Sequence, residues 1–295
     1  MNLSNKAAVF VLLGQSNAVG HKVPMDEKDQ ICEPLKNVFG LKREDNQSFT
    51  NEELCWSGYT SDKMNLGEEQ DHTYSLANCL ARMWQNEIDS GNKSNLPDLY
   101  IVHIAIGGQG VRKKFMWSPE YEKKLIPGKG KEVNISLCPL TVHILSLLKE
   151  SLAKLGKTDI FTTIHWRGGE EDAVSSKSAI QPILKGIYDT LFGGFYEALG
   201  ERVPTVLHKI VAHDRYLELK PSGEWLESMH YVNEVFGELC KENNNITMFD
   251  ATNAPHFIPD VRGNGLFLED VIHYTAETNI WVAKQIFSSY KKIYC

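Results

Sequence analysis

Two short stretches at opposite ends of the chain hold the residue types that nucleophilic chemistry needs. Gly14-Gln15-Ser16-Asn17 follows an unbroken apolar run at positions 7–13, and Asp270-Val271-Ile272-His273 lies just before the last apolar-periodic segment. A serine hydroxyl at the end of a buried strand can face a crevice with its own N–H turned toward a developing oxyanion. Because that hydroxyl is a poor nucleophile at its free pKa, it needs a base. His273 is the best base on offer, and Asp270, three residues earlier, is spaced to hold one ring nitrogen while the other faces Ser16. Each stretch also has a plainer reading. Ser and Asn beside Gly are common turn and cap residues, and an Asp can cap a turn next to a histidine that merely packs.

Two further loops follow apolar runs. In His103-Ile104-Ala105-Ile106-Gly107-Gly108-Gln109-Gly110-Val111 the paired glycines permit a backbone that offers N–H groups to an anion. In His165-Trp166-Arg167-Gly168-Gly169-Glu170-Glu171-Asp172-Ala173 a Gly-containing loop is rich in hydrogen-bonding side chains. One such loop is ordinary. Three on one crevice form a pattern.

The elements that must position these loops follow from hydropathy. Apolar runs with little alternation at 7–13, 99–106, 160–166, 203–211 and 246–249 predict strands covered on both faces, as in a parallel sheet. Helical periodicity predicts helices over 73–90, 139–155, 175–199, 224–242 and 276–294, with Gly91 and Gly156 as stops for the first two. The expectation is an α/β fold, a three-layer, doubly wound, mostly parallel five-stranded sheet with helices on both faces. Ligands of such sheets bind at the carboxyl ends of the strands. The stretches 20–71, 107–137, 167–174, 212–223 and 251–270 read as irregular, and neither a repeat nor a linker divides residues 1–295, which suits one domain.

The landmarks in order, Gly-Gln-Ser-Asn, then Ala-x-Gly-Gly, then Trp-x-x-Gly-Glu-x-Asp, then Asp-x-x-His, resemble the SGNH (GDSL-like) hydrolases over most of the chain. Within them the pattern is similar to the sialate O-acetylesterase and carbohydrate esterase family 6 branch. The resemblance implies a flavodoxin-like fold and esterase activity on an acetylated sugar. It also implies Ser16 as nucleophile, His273 as base and Asp270 as its orienting carboxylate. The N–H groups of Ser16 and Gly108 would be the oxyanion donors. Gln15, Asn17, Gly107 and Glu170 take substrate-binding or scaffold places, and Asp172 reads as scaffold. The chain departs from the branch at Gly168, where a glutamine usually stands and gives its amide to the oxyanion. Gln109 or Arg167 are the replacements the sequence offers. Without one, the alternative is a catalytically impaired homologue that binds carbohydrate or another partner.

With 295 residues, 42% of them hydrophobic, the chain can bury a large core. A formal net charge of −7 argues against nucleic acid or an anionic membrane surface as partner and leaves a small-molecule or glycan ester. No apolar run reaches the roughly 20 residues of a membrane span, and the amino-terminal run lacks an export signal's flanks, so the expected location is cytoplasmic. The six cysteines have no metal or redox spacing and read as free thiols, although their even number leaves disulfides open. No cofactor or metal is called for: His213 and His256 lack a second ligand at a recognisable spacing. The Gly-Gly-Gln-Gly run lacks the glycine spacing of a dinucleotide loop. Trp117, Tyr216 and Trp225 lie in or near post-strand loops, where an aromatic can stack on a sugar or close the core edge. The composition sets no oligomeric state.

Overall fold

The computed structural model describes residues 3–43, 53–91, 95–121, 136–212 and 215–294. His213, one of the histidines considered above, and Cys295 lie outside them. Seven strands form one sheet: β1 (Lys6–Gly14), β2 (Val38–Leu41), β3 (Trp56–Gly58), β4 (Asp98–Ala105), β5 (Asp159–Arg167), β6 (Thr205–His208) and β7 (Ile246–Phe249), in the spatial order β3-β2-β4-β1-β5-β6-β7. Every pairing is parallel except that of β3, which runs antiparallel to β2 at the edge. The five expected strands are all present, and the sheet gains two where the sequence reads as irregular. Strands of four and three residues are too short to display a period, and β3 has no buried residue to mark it.

The central strand shows why the sheet is covered on both sides. Its odd positions, Val9, Val11 and Leu13, enter one apolar cluster, and its even positions, Ala8, Phe10 and Leu12, enter another. On the even side pack α2 (Leu76–Asp89) and α9 (Ala276–Tyr294). On the odd side pack α3 (Leu137–Lys154), α6 (Leu184–Leu199) and α8 (Glu224–Glu242). Between these lie the short helices α1 (Ser16–Val19), α4 (Glu170–Ala173), α5 (Lys177–Ile180) and α7 (Arg215–Leu219). The single helix expected over 175–199 is thus two, α5 and α6, with Pro182 in the break. Proline has no N–H for the helical ladder and its ring crowds the preceding turn.

Register brings the strand ends level. Gly14 pairs with Ala105 of β4 on one side and with Arg167 of β5 on the other. The loops after β1, β4 and β5 therefore leave the sheet side by side, where its winding changes direction. Gly14 is required there: its φ is 146°, and a Cβ on it would stand 2.0 Å from the carbonyl oxygen of Arg167.

Burial of titratable rings makes a stability prediction. His165 on β5 and His208 on β6 share a hydrogen bond, Nδ1 to Nε2 at 3.2 Å, inside the sheet. Burial pushes His165 down to about 3, and burial, with His165 and Arg167 nearby, holds His208 well below its usual range. The unfolded chain takes up these protons near pH 6.5 while the folded chain refuses them. Stability is therefore present above about pH 6.5 and falls as pH drops through it, by roughly tenfold in the unfolding equilibrium per ring per pH unit. Urea midpoints measured between pH 7 and pH 5 should fall steeply. His165→Gln combined with His208→Gln should flatten that slope, and an unchanged slope would contradict the assignment.

Candidate active site

Ser16 opens α1 directly beyond β1, and its residue is 6% exposed. Its carbonyl accepts the N–H groups of Gly20 and His21, both at 3.0 Å, which closes the turn beneath the hydroxyl. The next residue does most of the fastening. Asn17 donates from Nδ2 to Glu170 Oε1 at 3.0 Å and to the Ile272 carbonyl at 3.1 Å, while its Oδ1 accepts the Tyr274 N–H at 3.2 Å. One buried amide thus joins the Ser16 turn to both the β5 loop and the His273 loop, which is how residues more than 250 positions apart come to share a site.

Asp270 and His273 form the expected pair. His273 donates from Nδ1 to Asp270 Oδ2 at 2.7 Å, and the N–H groups of Ile272 and His273 both reach Asp270 Oδ1 at 3.0 Å. Lys22 Nζ adds a contact to Oδ2 at 2.9 Å. Burial raises the Asp270 carboxyl, but the His273 side chain and amide, the Ile272 amide and Lys22 outweigh it and hold the group well below the usual carboxylate range. The intervening Val271 has φ of 55°, a conformation costly for a β-branched residue, which the two amide bonds to Asp270 impose.

Ser16, His273, Gly107, Gly108 and Gln15 line one cleft of about 440 Å³. With Nδ1 committed to Asp270, the other nitrogen of His273 is left for chemistry. Among the described residues, Ser16 Oγ has no hydrogen bond, and neither do the N–H groups of Ser16 and Gly108. Gly108, with φ of 65°, turns its N–H in a conformation that glycine adopts without cost.

The remaining candidates separate into those that line the cleft and those that hold it. Arg167 is buried, donating from Nη1 to the Asn17 carbonyl at 3.1 Å and to Asn279 Oδ1 at 2.8 Å, with its guanidinium 4.4 Å from the Tyr274 ring centre. Gln109 accepts the Met116 N–H on its own Oε1 at 3.1 Å and so folds its loop. Neither lines the cleft. The amide that does line it is Gln15, whose Oε1 accepts the Glu171 N–H at 3.3 Å.

Asp172 is fully buried, accepts the Val111 N–H on both oxygens at 3.1 Å and meets Arg112 Nε at 3.4 Å. It ties the β5 loop to the β4 loop, and burial pushes its carboxyl up to about 6 against those contacts. Tyr216 and Trp225 line the cleft together with Val174, Leu219 and Met229. Trp117 does not: it is wholly buried, donates to the Gly14 carbonyl at 2.8 Å and packs edge-on against Trp166. His256 bonds Thr278 at the start of α9.

No protein-family model matches the sequence, and no curated protein does. A solved structure described as "Crystal Structure of TesA" aligns with 97% of this chain and 99% of its own, at 11% identity and a TM-score of 0.40. Likeness at that level says nothing about activity. No described helix is long and apolar enough to cross a membrane.

Among the cleft residues that escape sequence reasoning, His21 and Glu68 form a pair. His21 Nε2 lies 2.6 Å from Glu68 Oε1, and both side chains face the cleft. Glu68 sits in a long irregular stretch with no periodic or motif signal. His21, five residues after Ser16, could have been noticed only as the second histidine close in space to the site, its ring centre 5.7 Å from that of His273.

Proposed function

We propose that this protein is a serine esterase that removes O-acetyl groups from a carbohydrate through an acyl-enzyme. The observation that carries the reading is the Asp270–His273 pair at 2.7 Å on the cleft that Ser16 also lines. His273, kept by Asp270 in the tautomer with its other nitrogen bare, takes the Ser16 proton as Oγ attacks the acetyl carbon. The N–H groups of Ser16 and Gly108 receive the developing oxyanion. His273 then returns the proton to the leaving sugar oxygen, and water resolves the acetyl-serine by the same path.

Tyr216 and Trp225 give the cleft an aromatic wall suited to a sugar face. Glu68, Glu170 and Glu171 line it, and among the described residues no lysine or arginine does. That balance favours an uncharged sugar ester over a sialic acid. Incubation with a panel of neutral and acidic acetylated sugars, following acetate release, tests both points. Neutral acetates should react fastest and Ser16→Ala should release none above background. Equal release by the two proteins would end the esterase reading.

A binding role for an impaired homologue draws on one observation, the glycine at 168. A Cβ there would make ordinary contacts, 3.4 and 3.5 Å to Trp166 ring atoms and 3.6 Å to Gln15 Cγ, so the backbone at 168 accepts a side chain. If a donor is missing, Gly168→Gln should raise kcat at least about tenfold. An unchanged kcat would show that another group already fills that place.

A further inference from the structure

We propose that Glu68 and His21 are positioning residues that clamp the oxyanion-binding loop, an inference that rests on the esterase reading above. Gly108 carries one of the two N–H groups assigned to the oxyanion, yet nothing packs within 4 Å of where its Cβ would stand. Its orientation must come from its neighbour. Gly107 donates its N–H to Glu68 Oε2 at 2.7 Å, and its Cα lies against the His21 ring so closely that a Cβ would stand 2.5 Å from Cε1. The second carboxylate oxygen takes His21 Nε2 at 2.6 Å. The His21 N–H in turn bonds the Ser16 carbonyl at 3.0 Å. One continuous chain of contacts therefore references the Gly107–Gly108 peptide to the Ser16 turn, so that the two oxyanion donors keep a common geometry.

The anchor under this chain is itself fixed. Arg43 Nη1 donates to the Glu68 carbonyl at 2.8 Å and to that of Asn65 at 3.0 Å. Asn65 donates from Nδ2 to the Ala105 carbonyl at 2.9 Å and accepts the Ala105 N–H at 3.0 Å, which pins the segment to the end of β4. The Glu68 carboxyl is held below its ordinary value: burial raises it, and the bonds from His21 and Gly107 more than offset this. As an anion it accepts on both oxygens, so His21 Nε2 must donate. That nitrogen is then not available as a base.

The test uses the full chain and an aryl acetate, with kcat, KM, melting temperature and affinity for an alkylboronic acid, whose serine adduct mimics the tetrahedral intermediate. Glu68→Ala should lower kcat on the order of tenfold to a hundredfold, the effect of a small misplacement of a preorganised group, and weaken the boronic acid by a similar factor. KM should stay within about twofold. Glu68→Gln, whose amide oxygen can still accept the Gly107 N–H, should recover most of the rate and guards against a folding defect in the alanine variant. An unchanged kcat in Glu68→Ala, with Ser16→Ala inactive, overturns the clamp and leaves the esterase reading intact. A loss that Gln does not rescue, or one matched by a rise in KM, also overturns it. A His21→Gln loss as large as that of Ser16→Ala would make His21 a base and overturn the positioning role. Activity that survives Ser16→Ala removes both proposals.

Discussion

Ser16→Ala should reduce kcat for an aryl acetate on the order of 10⁵-fold, the largest effect of any single substitution in this protein. The hydroxyl is the atom to which the acyl group would bond, and no neighbour can take its place. Gln15 and Asn17 are amides committed to Glu171, Glu170 and the Ile272 loop. The fold should be untouched, because Ser16 Oγ bonds nothing among the described residues and the turn is closed by the Ser16 carbonyl. Steady-state kinetics beside a thermal melt separates the two effects. A variant with normal melting and a residual rate within a few-fold of wild type would remove Ser16 from the chemistry.

Asp270→Asn should cost about 10³–10⁴-fold in kcat while the protein stays folded. The two functions of this carboxylate lie on different oxygens. Oδ1 caps the Ile272 and His273 amides, a role an asparagine oxygen keeps. Oδ2 accepts the His273 Nδ1–H, and an amide nitrogen placed there donates instead, turning the ring to the tautomer with its proton on the nitrogen that should be bare. The imidazolium formed during attack would also lose its counter-charge. Losses in a unit of this kind do not add, so Ser16→Ala combined with Asp270→Asn should fall no further than Ser16→Ala alone. An additive double variant would mean that the two residues act separately.

What the sequence made legible follows from which forces leave a local trace. Strands buried on both faces must be apolar without alternation, and β1 and β4 show it in their composition alone. Their shared register then accounts for the three loops meeting at one edge, although only the coordinates show Gly14 level with Ala105 and Arg167. The Asp270–His273 spacing was readable because three residues suffice to bring a carboxylate to an imidazole. Tertiary partners leave no such trace. Arg167 looked like a spare donor beside the missing amide, yet its guanidinium lies under the Ser16 turn against Asn279 and Tyr274. Of the two places open to Trp117, sugar stacking or the core edge, the structure shows the core, where it is wholly buried and its indole N–H meets the Gly14 carbonyl. The His21–Glu68 contact spans 47 positions with no motif at either end.

Ser16 should be the group acylated in this cleft. Brief treatment with an alkyl fluorophosphonate, followed by intact mass and peptide mapping, tests it most directly, since the reagent bonds a serine only where a base and oxyanion donors activate it. One adduct per chain is expected, on Ser16, with labelling slowed severely in His273→Ala. An adduct on another residue, or none while acetate is still released, would contradict it.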